Sequence, residues 1–242
     1  MKNNISIVST KKIQPAIKAQ LLSQHITVTD YSFIKTTICD FKIVKDVLLQ
    51  KQLHYVFTSS KAVEVIADAL RYYKMKMPEN AVVYSLQGKT QKTLLSIGIR
   101  PILTATSARQ LAQMIVRKGL SKSIHFFCTD IRRPELPEIL KAENISVNEA
   151  IIYTTALTPH KIDANYSAIL FFSPSAVQSF FTENKLNKLA ACVCIGGTTA
   201  DAVKKYNKKA TILIADKPVI HSMISKAVQY YKSINHLKTT KQ

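Results

Sequence analysis

Acidic side chains are scarce in this chain: 15 Asp and Glu stand against 34 Lys and Arg. The acids do not cluster, which disfavours mechanisms built on two paired carboxylates. The six histidines, at positions 25, 54, 125, 160, 221 and 236, never pair at metal-ligand spacing, so no metal is expected. The four cysteines form no framework. Cys192-x-Cys194 has the wrong spacing for zinc or thioredoxin-like chemistry. At strand period two, both thiols point to one side of a buried strand, where Cys acts as a small hydrophobe. With only 5 glycines there is no Gly-rich dinucleotide fingerprint. Gly88-Lys89-Thr90 resembles the end of a phosphate loop, but Val83 stands where that loop needs its first glycine. A Gly-x-Ser-x-Gly elbow is also missing, so a hydrolase triad has no anchor. No apolar run approaches the roughly 18–20 residues of a membrane-spanning helix. The first residues pass directly into a short strand without a signal-peptide apolar region, so a cytoplasmic protein is expected.

What is present starts with charge. A formal net charge of +19 concentrates polyanions near the surface, whether nucleic acid, acidic membrane or a small polycarboxylate. The lysines are scattered, with no arginine-rich block and no aromatic-interleaved basic stripe, which places nucleic acid behind a small polyanion.

One stretch occurs twice. Val56-Phe57-Thr58-Ser59-Ser60-Lys61-Ala62-Val63 returns as Leu170-Phe171-Phe172-Ser173-Pro174-Ser175-Ala176-Val177. Each copy reads as a buried strand, a small polar turn and a helix. A Gly-x-Thr follows each, in Gly88-Lys89-Thr90 and Gly196-Gly197-Thr198. Strand-like runs near 5–9, 26–34, 54–58, 81–86, 99–103, 123–128, 145–153, 168–172, 191–195 and 210–215 alternate with helical patterns such as 61–74 and 107–119. This alternation predicts an α/β fold with parallel sheets.

A third internal match sets the domain layout. Residues 9–28 align without a gap on 128–147, keeping Thr, Pro, Leu (Leu21 and Leu140), Ile and Val. The unit that closes the middle of the chain is therefore the one that opens it. The expected division is a discontinuous domain of 1–33 plus 160–242 and an inserted domain of 36–157, each with five strands in flavodoxin-like arrangement. Extended, Thr-rich crossings near 31–37 and 153–159 would form a two-stranded β linker. The polar, basic tail from His236 onward is expected to be disordered.

The candidate site residues are small and polar. Ser59 or Ser60 and Ser173 sit at N-cap positions, and Pro174 takes the first helical position it favours. Capping alone accounts for any one of them. Their shared position argues for more, because open α/β sheets bind ligands at the carboxyl ends of their strands. Helix N-termini there offer free N–H groups to anions. Ser59, Ser60, Lys61, Gly88, Lys89, Thr90, Ser173, Ser175, Gly196, Gly197, Thr198 and Thr199 all fall on such edges. If the two edges face each other, they line a cleft suited to a large polycarboxylate.

The sequence from Phe57 to Val63, then Ser107-Ala108-Arg109-Gln110-Leu111, then Tyr153-Thr154, resembles uroporphyrinogen-III synthase. So do Phe172 to Val177 with Phe180, and Cys194-Ile195-Gly196-Gly197-Thr198-Thr199-Ala200. The likeness covers about residues 5–232. It implies two α/β domains on a two-stranded linker with the active site between them, and no cofactor. The reaction implied is closure of hydroxymethylbilane, a linear tetrapyrrole with eight carboxylates, to uroporphyrinogen III with inversion of ring D and loss of water. Tyr153 matches the family's tyrosine near the domain crossing and is the expected proton donor. Thr198 and Thr199 are expected substrate contacts. Arg132 or Arg133, before the Leu-rich helix, holds a propionate or is only solvated. The chain departs from the family where Val8-Ser9-Thr10-Lys11-Lys12 replaces strand–Thr-Arg-Pro, so Lys11 offers a point charge without an arginine fork. A monomer is expected, with the upstream hydroxymethylbilane-forming enzyme a candidate partner. The competing readings are a non-catalytic tetrapyrrole- or anion-binding protein of the same fold and a basic nucleic-acid binder.

Overall fold

All four residues of Ala168–Phe171 and all four of Ala191–Cys194 are buried. A strand buried on both faces must lie inside a sheet covered by helices on both sides, which is the habit of parallel sheets. The computed structural model describes residues 4–163, 165–187 and 189–239 and has this layered form. In chain order, β1 (Ile5–Ser9), α1 (Pro15–Leu22) and β2 (Ile26–Asp30) open the first unit. The inserted unit follows as β3 (Ile34–Ile38), α2 (Lys42–Leu48), β4 (His54–Phe57), α3 (Ser60–Tyr72), β5 (Val82–Leu86) and α4 (Lys89–Ser96). It continues through β6 (Leu103–Ala105), α5 (Ala108–Arg117), β7 (Ser123–Thr129), α6 (Glu135–Ala142) and β8 (Ser146–Leu157). The chain then returns to the first unit as β9 (Ala168–Phe171), α7 (Pro174–Glu183), β10 (Ala191–Cys194), α8 (Gly197–Tyr206), β11 (Thr211–Ile214) and α9 (Ile220–Thr239). The first unit comprises Met1–Lys35 with Ala156–Gln242, and the inserted unit Thr36–Thr155.

The sheet of the first unit runs β11-β10-β9-β1-β2, with parallel pairing throughout. The sheet of the inserted unit runs β3-β8-β7-β4-β5-β6, so it has six strands where the sequence suggested five. Without β3 the two orders are the same, once β7 and β8 are set against β1 and β2. The helix and turn between those strands repeat in detail. After α1, His25 takes φ 60, and after α6, Asn144 takes φ 58. Both turns close with the same bonds, Gln24 N to Leu21 O and His25 N to Leu22 O against Glu143 N to Leu140 O and Asn144 N to Lys141 O. The extra strand, β3, lies beside the far half of β8. Cys39 N donates to Ile152 O, and Thr158 N to Phe33 O, a spacing that runs the two segments antiparallel.

Three element boundaries depart from the sequence reading. The run 99–103 is not a strand, because Gly98 turns at φ 78, Ile99 N closes α4 on Leu94 O at 3.0 Å, and Pro101 follows. Strand β6 therefore starts only at Leu103. The expected strand 26–34 splits into β2 and β3. Disorder from His236 is corrected as far as Thr239, to which α9 runs, while 240–242 lie outside the described residues.

Each sheet carries one core on each face. In the inserted unit, Tyr55, Phe57, Val63, Ile66 and Leu94 fill one face, and Val56, Tyr84, Leu111, Phe126 and Leu140 the other. Cys192 and Cys194 share one face of the first sheet, and burial pushes both thiols up to about 12. They are packing residues. Among the described residues no helix is long and apolar enough to cross a membrane.

Candidate active site

The direction in which the crossovers wind decides where an open sheet can bind a ligand. In the inserted unit, Leu136 and Leu140 of α6 pack on one face, whereas Val63 of α3 and Leu94 of α4 pack on the other. The chain therefore switches faces between β7 and β4, and the crevice beyond their carboxyl ends is the topological switch point. In the first unit the same argument places the switch between β1 and β9, with Leu21 of α1 on one face and Val177 of α7 on the other.

At the switch of the inserted unit, β4 runs out into Thr58-Ser59. Ser59 is the N-cap of α3, and its Oγ accepts from Lys61 N at 3.0 Å and Ala62 N at 3.3 Å. The same Oγ accepts a third bond, from the Tyr153 hydroxyl at 2.9 Å. Tyr153 comes from β8, two strands away, and reaches Ser59 because β8 is bulged. Pairing runs Cys128↔Ile151 and then Thr129↔Tyr153, leaving Ile152 as an extra residue. Alternation along the strand breaks there, so that Ile152 and Tyr153 are both buried. Bulges commonly re-aim a side chain beside a functional site. Burial pushes the Tyr153 hydroxyl above the usual tyrosine range, while its bond to Ser59 pulls the other way. It is a protonated donor at neutral pH.

A second small network fixes the strand just past the bulge. Asp130 Oδ1 accepts from Thr129 Oγ1 at 2.7 Å and from Thr155 N at 3.0 Å. The bond to Thr129, followed by backbone donors, holds the Asp130 carboxyl below its ordinary range against the pull of burial. Asp130 and Thr129 escaped the sequence reading, although both stand at the carboxyl end of a predicted strand. Glu64 escaped it too. Its carboxylate lies 3.5 Å from Lys61 Nζ and 4.0 Å from Lys89 Nζ, between two of the expected cationic contacts.

The remaining expected residues divide by exposure. Ser60 opens α3, and Gly88 is the N-cap of α4 with φ 78, a conformation that favours glycine. No side chain caps α4, so its first amides keep no side-chain partner, and Lys89 is exposed at its first turn. Thr90 is buried under the helix at 6 % exposure. Arg132 is paired with Glu149, whose other oxygen lies 3.4 Å from Lys141 Nζ. The Arg132 bond, outweighing burial, holds Glu149 below the ordinary carboxylate range. Arg132 thus has a protein partner, with which a propionate would have to share its guanidinium.

In the first unit, Ser173 caps α7 through Ala176 N at 3.1 Å, and Ser175 sits half-buried in the first turn. Helix α8 begins at Gly196-Gly197 with no side-chain cap. Neither glycine is required by its backbone: Gly196 is extended at φ −174, and a Cβ at either position would meet nothing within 4 Å. Their bareness leaves the helix N-terminus open to close approach. Thr198 is exposed, whereas Thr199 is turned inward at 2 % exposure. Among the described residues no group of three His, Cys, Asp or Glu is placed to hold a metal.

Comparison with known proteins settles the family. The model of the family described as "Uroporphyrinogen-III synthase HemD" matches residues 15–225. This chain belongs to that family. The curated porphyrin biosynthesis protein HemD of Ruminiclostridium josui is 27% identical over an alignment of 190 residues that covers 72% of this chain and 37% of that protein. The chain thus spans a little over a third of the length of the curated relative it matches. Among solved structures, a mutant uroporphyrinogen III synthase of the extremely thermophilic bacterium Thermus thermophilus aligns at TM-score 0.77 and 14% identity, covering 95% of this chain and 99% of the other. The uroporphyrinogen-III synthetase of Helicobacter pylori 26695 aligns at 0.61 and 18% identity, covering 93% and 99%. At such identities these two likenesses speak for the fold, and the family model carries the membership.

Proposed function

We propose that this chain is a uroporphyrinogen-III synthase, a hydro-lyase that closes hydroxymethylbilane to uroporphyrinogen III with inversion of ring D and loss of water. The observation that carries the reading, given the family, is the Tyr153–Ser59 hydrogen bond across the switch point of the inserted unit. It puts one protonated, oriented hydroxyl at the place where an open α/β sheet takes its ligand.

The chemistry asks little more of the protein. The pyrrole nitrogen supplies electrons as the carbon–oxygen bond of the hydroxymethyl group breaks, and Tyr153 gives its proton to the departing oxygen, which leaves as water. Ring D then attacks the freed methylene through its substituted carbon, forming a spiro intermediate that reopens and recloses with ring D inverted. The proton released when the last pyrrole regains aromaticity restores the tyrosine. The linear substrate also closes unaided to the uninverted isomer, so the enzyme works chiefly by positioning. Ser59 orients Tyr153 in the resting state.

The uncapped N-terminus of α4 at Gly88, with Lys61 and Lys89, suits carboxylates in one unit. In the other, the bare amides of Gly196 and Gly197, with Thr198 and Ser175, do the same. Thr90 and Thr199 are left out as buried; Arg132 shares Glu149 as Lys61 and Lys89 share Glu64, so each of these cations meets a substrate carboxylate in competition with its protein partner. The net charge of +19 supports an anionic substrate.

The test is incubation with freshly generated hydroxymethylbilane, oxidation of the products, and separation of isomers I and III. Isomer III above the blank is the expected result. Isomer I alone at the blank rate overturns the proposal and leaves an anion-binding protein of the same fold.

A further inference from the structure

The neutral imidazole of His125 is the most conspicuous polar group outside the candidate active site. It is fully buried on β7, and neither ring nitrogen has a hydrogen-bond partner among the described residues. Buried polar side chains are normally satisfied, so an orphan of this kind calls for a missing partner. His125 ends an aromatic ladder on one face of the sheet: it stacks on Tyr55 at 5.7 Å, and Tyr55 stacks on Phe127 at 5.9 Å. The Tyr55 hydroxyl is likewise buried and unpartnered.

His125 is part of the wall of a cavity of about 330 Å³. Strand β3 lies along only the far half of β8, and α2 passes over the part of the sheet left bare. Ile43, Asp46 and Val47 line it from one face of α2 at i, i+3 and i+4, Gln50 follows just past the end of that helix, and Asn148 to Ala150 of β8 form its side. His125 lies four residues before Thr129, so along the strand the cavity is roughly 13 Å from the switch point.

The lining states what the cavity takes. In a chain with 34 basic and 15 acidic residues, this cavity has two carboxylates and no lysine or arginine. A polycarboxylate is therefore excluded. Glu149 is spent on Arg132 and Lys141, but Asp46 has no ion pair among the described residues. Burial holds His125 below its ordinary range, so one ring nitrogen is an acceptor. Gln50 and Asn148 add amide carbonyls. Together these groups can accept from a multidentate donor such as an ammonium group.

We propose that the cavity beneath α2 is a second ligand site that takes the primary ammonium group of a small organic amine, between the Asp46 carboxylate and the His125 ring. It stands independently of the tetrapyrrole reading. The groove is open to solvent, with Asp46, Gln50 and Asn148 exposed along it, while the ring nitrogens of His125 lie sealed beneath them, so a ligand held by Asp46 reaches the ring only when α2 shifts.

The test is titration of the 242-residue chain, labelled with 15N-histidine, with 1,4-diaminobutane. The His125 ring resonances are assigned from a His125→Gln variant. The expected result is a saturable shift of those resonances, at least tenfold weaker in apparent affinity in an Asp46→Asn variant that keeps the wild-type melting temperature. Tetramethylammonium chloride at matched ionic strength carries the charge without donors, and no shift is expected from it. Absence of a saturable shift, an equal shift with tetramethylammonium, or an unchanged affinity in the Asp46→Asn variant each overturns the proposal.

Discussion

Replacing Tyr153 by phenylalanine removes one oxygen and leaves the ring where the β8 bulge puts it. In the folded state the loss is a single hydrogen bond, to Ser59 Oγ. Ser59 still accepts from Lys61 N and Ala62 N, so no buried atom is orphaned. The stability cost is then about 1 kcal/mol, a fall in melting temperature of about 2–4 °C. Activity falls much further. A positioned proton donor contributes about 10²–10⁴-fold, and the low end applies because a pyrrole expels the hydroxyl group with little help. We expect kcat to fall about 10²-fold, equivalent to about 2.7 kcal/mol in the barrier, with KM changed little and isomer III still the main product. The donor is the protonated form, and burial raises its pKa, so its contribution persists at low pH and is lost only as pH rises through a value above 10. The assay is initial-rate kinetics on freshly generated hydroxymethylbilane, with isomer separation and a thermal melt in parallel. An unchanged kcat with an intact fold refutes the reasoning, and so does a product that turns entirely to isomer I.

Ser59→Ala strips two amides of their cap and leaves the Tyr153 hydroxyl without an acceptor, whereas Ser173→Ala strips only Ala176 N. Urea unfolding should show a loss of about 1 kcal/mol for Ser173→Ala and a larger one for Ser59→Ala; equal losses would argue against the shared role of Ser59. Asp30 accepts from Ile13 N and pairs with Lys18 and Lys12, and despite burial these hold its carboxyl below the ordinary value of 3.8. Its contribution is therefore present above the unfolded pKa and lost as pH falls through the lower folded value. Asp30→Asn should cost about 2 kcal/mol at pH 7 and nearly nothing in strong acid, a difference that denaturant titrations at the two pH values would reveal. His125 titrates lower in the folded chain because it is buried, facing Asp46 from α2, Tyr55 from β4 and Glu149 from β8. The unfolded chain binds that proton first, so His125 costs stability as pH falls through 6.5. His125→Phe should raise the melting temperature more at pH 5.5 than at pH 8, and a pH-independent change would contradict this.

The repeated Phe-x-Ser-x-x-Ala-Val stretch was legible because it encodes local physics: an apolar strand, a serine cap and the first buried turn of a helix. The offset between residues 9–28 and 128–147 was legible for a related reason. Helix and turn there keep one length, down to the left-handed residues His25 and Asn144. What stayed hidden depends on partners distant in sequence. The bulge that turns Tyr153 toward Ser59 exists only in the register of β8 against β7. The pairing of Arg132 with Glu149 likewise needs those strands side by side. Thr90 and Thr199 belong to convincing Gly-x-Thr turns, but which hydroxyl of a first helical turn faces inward is decided by how the helix rolls on the sheet. Ile99 counted as a strand residue by composition, yet its amide is used to stop α4.

The most direct measurement is the ratio of isomer III to isomer I formed from fresh hydroxymethylbilane as protein concentration is raised. The account predicts that isomer III comes to dominate, with a rate proportional to the protein added. A ratio that stays at the protein-free value at every concentration would contradict it.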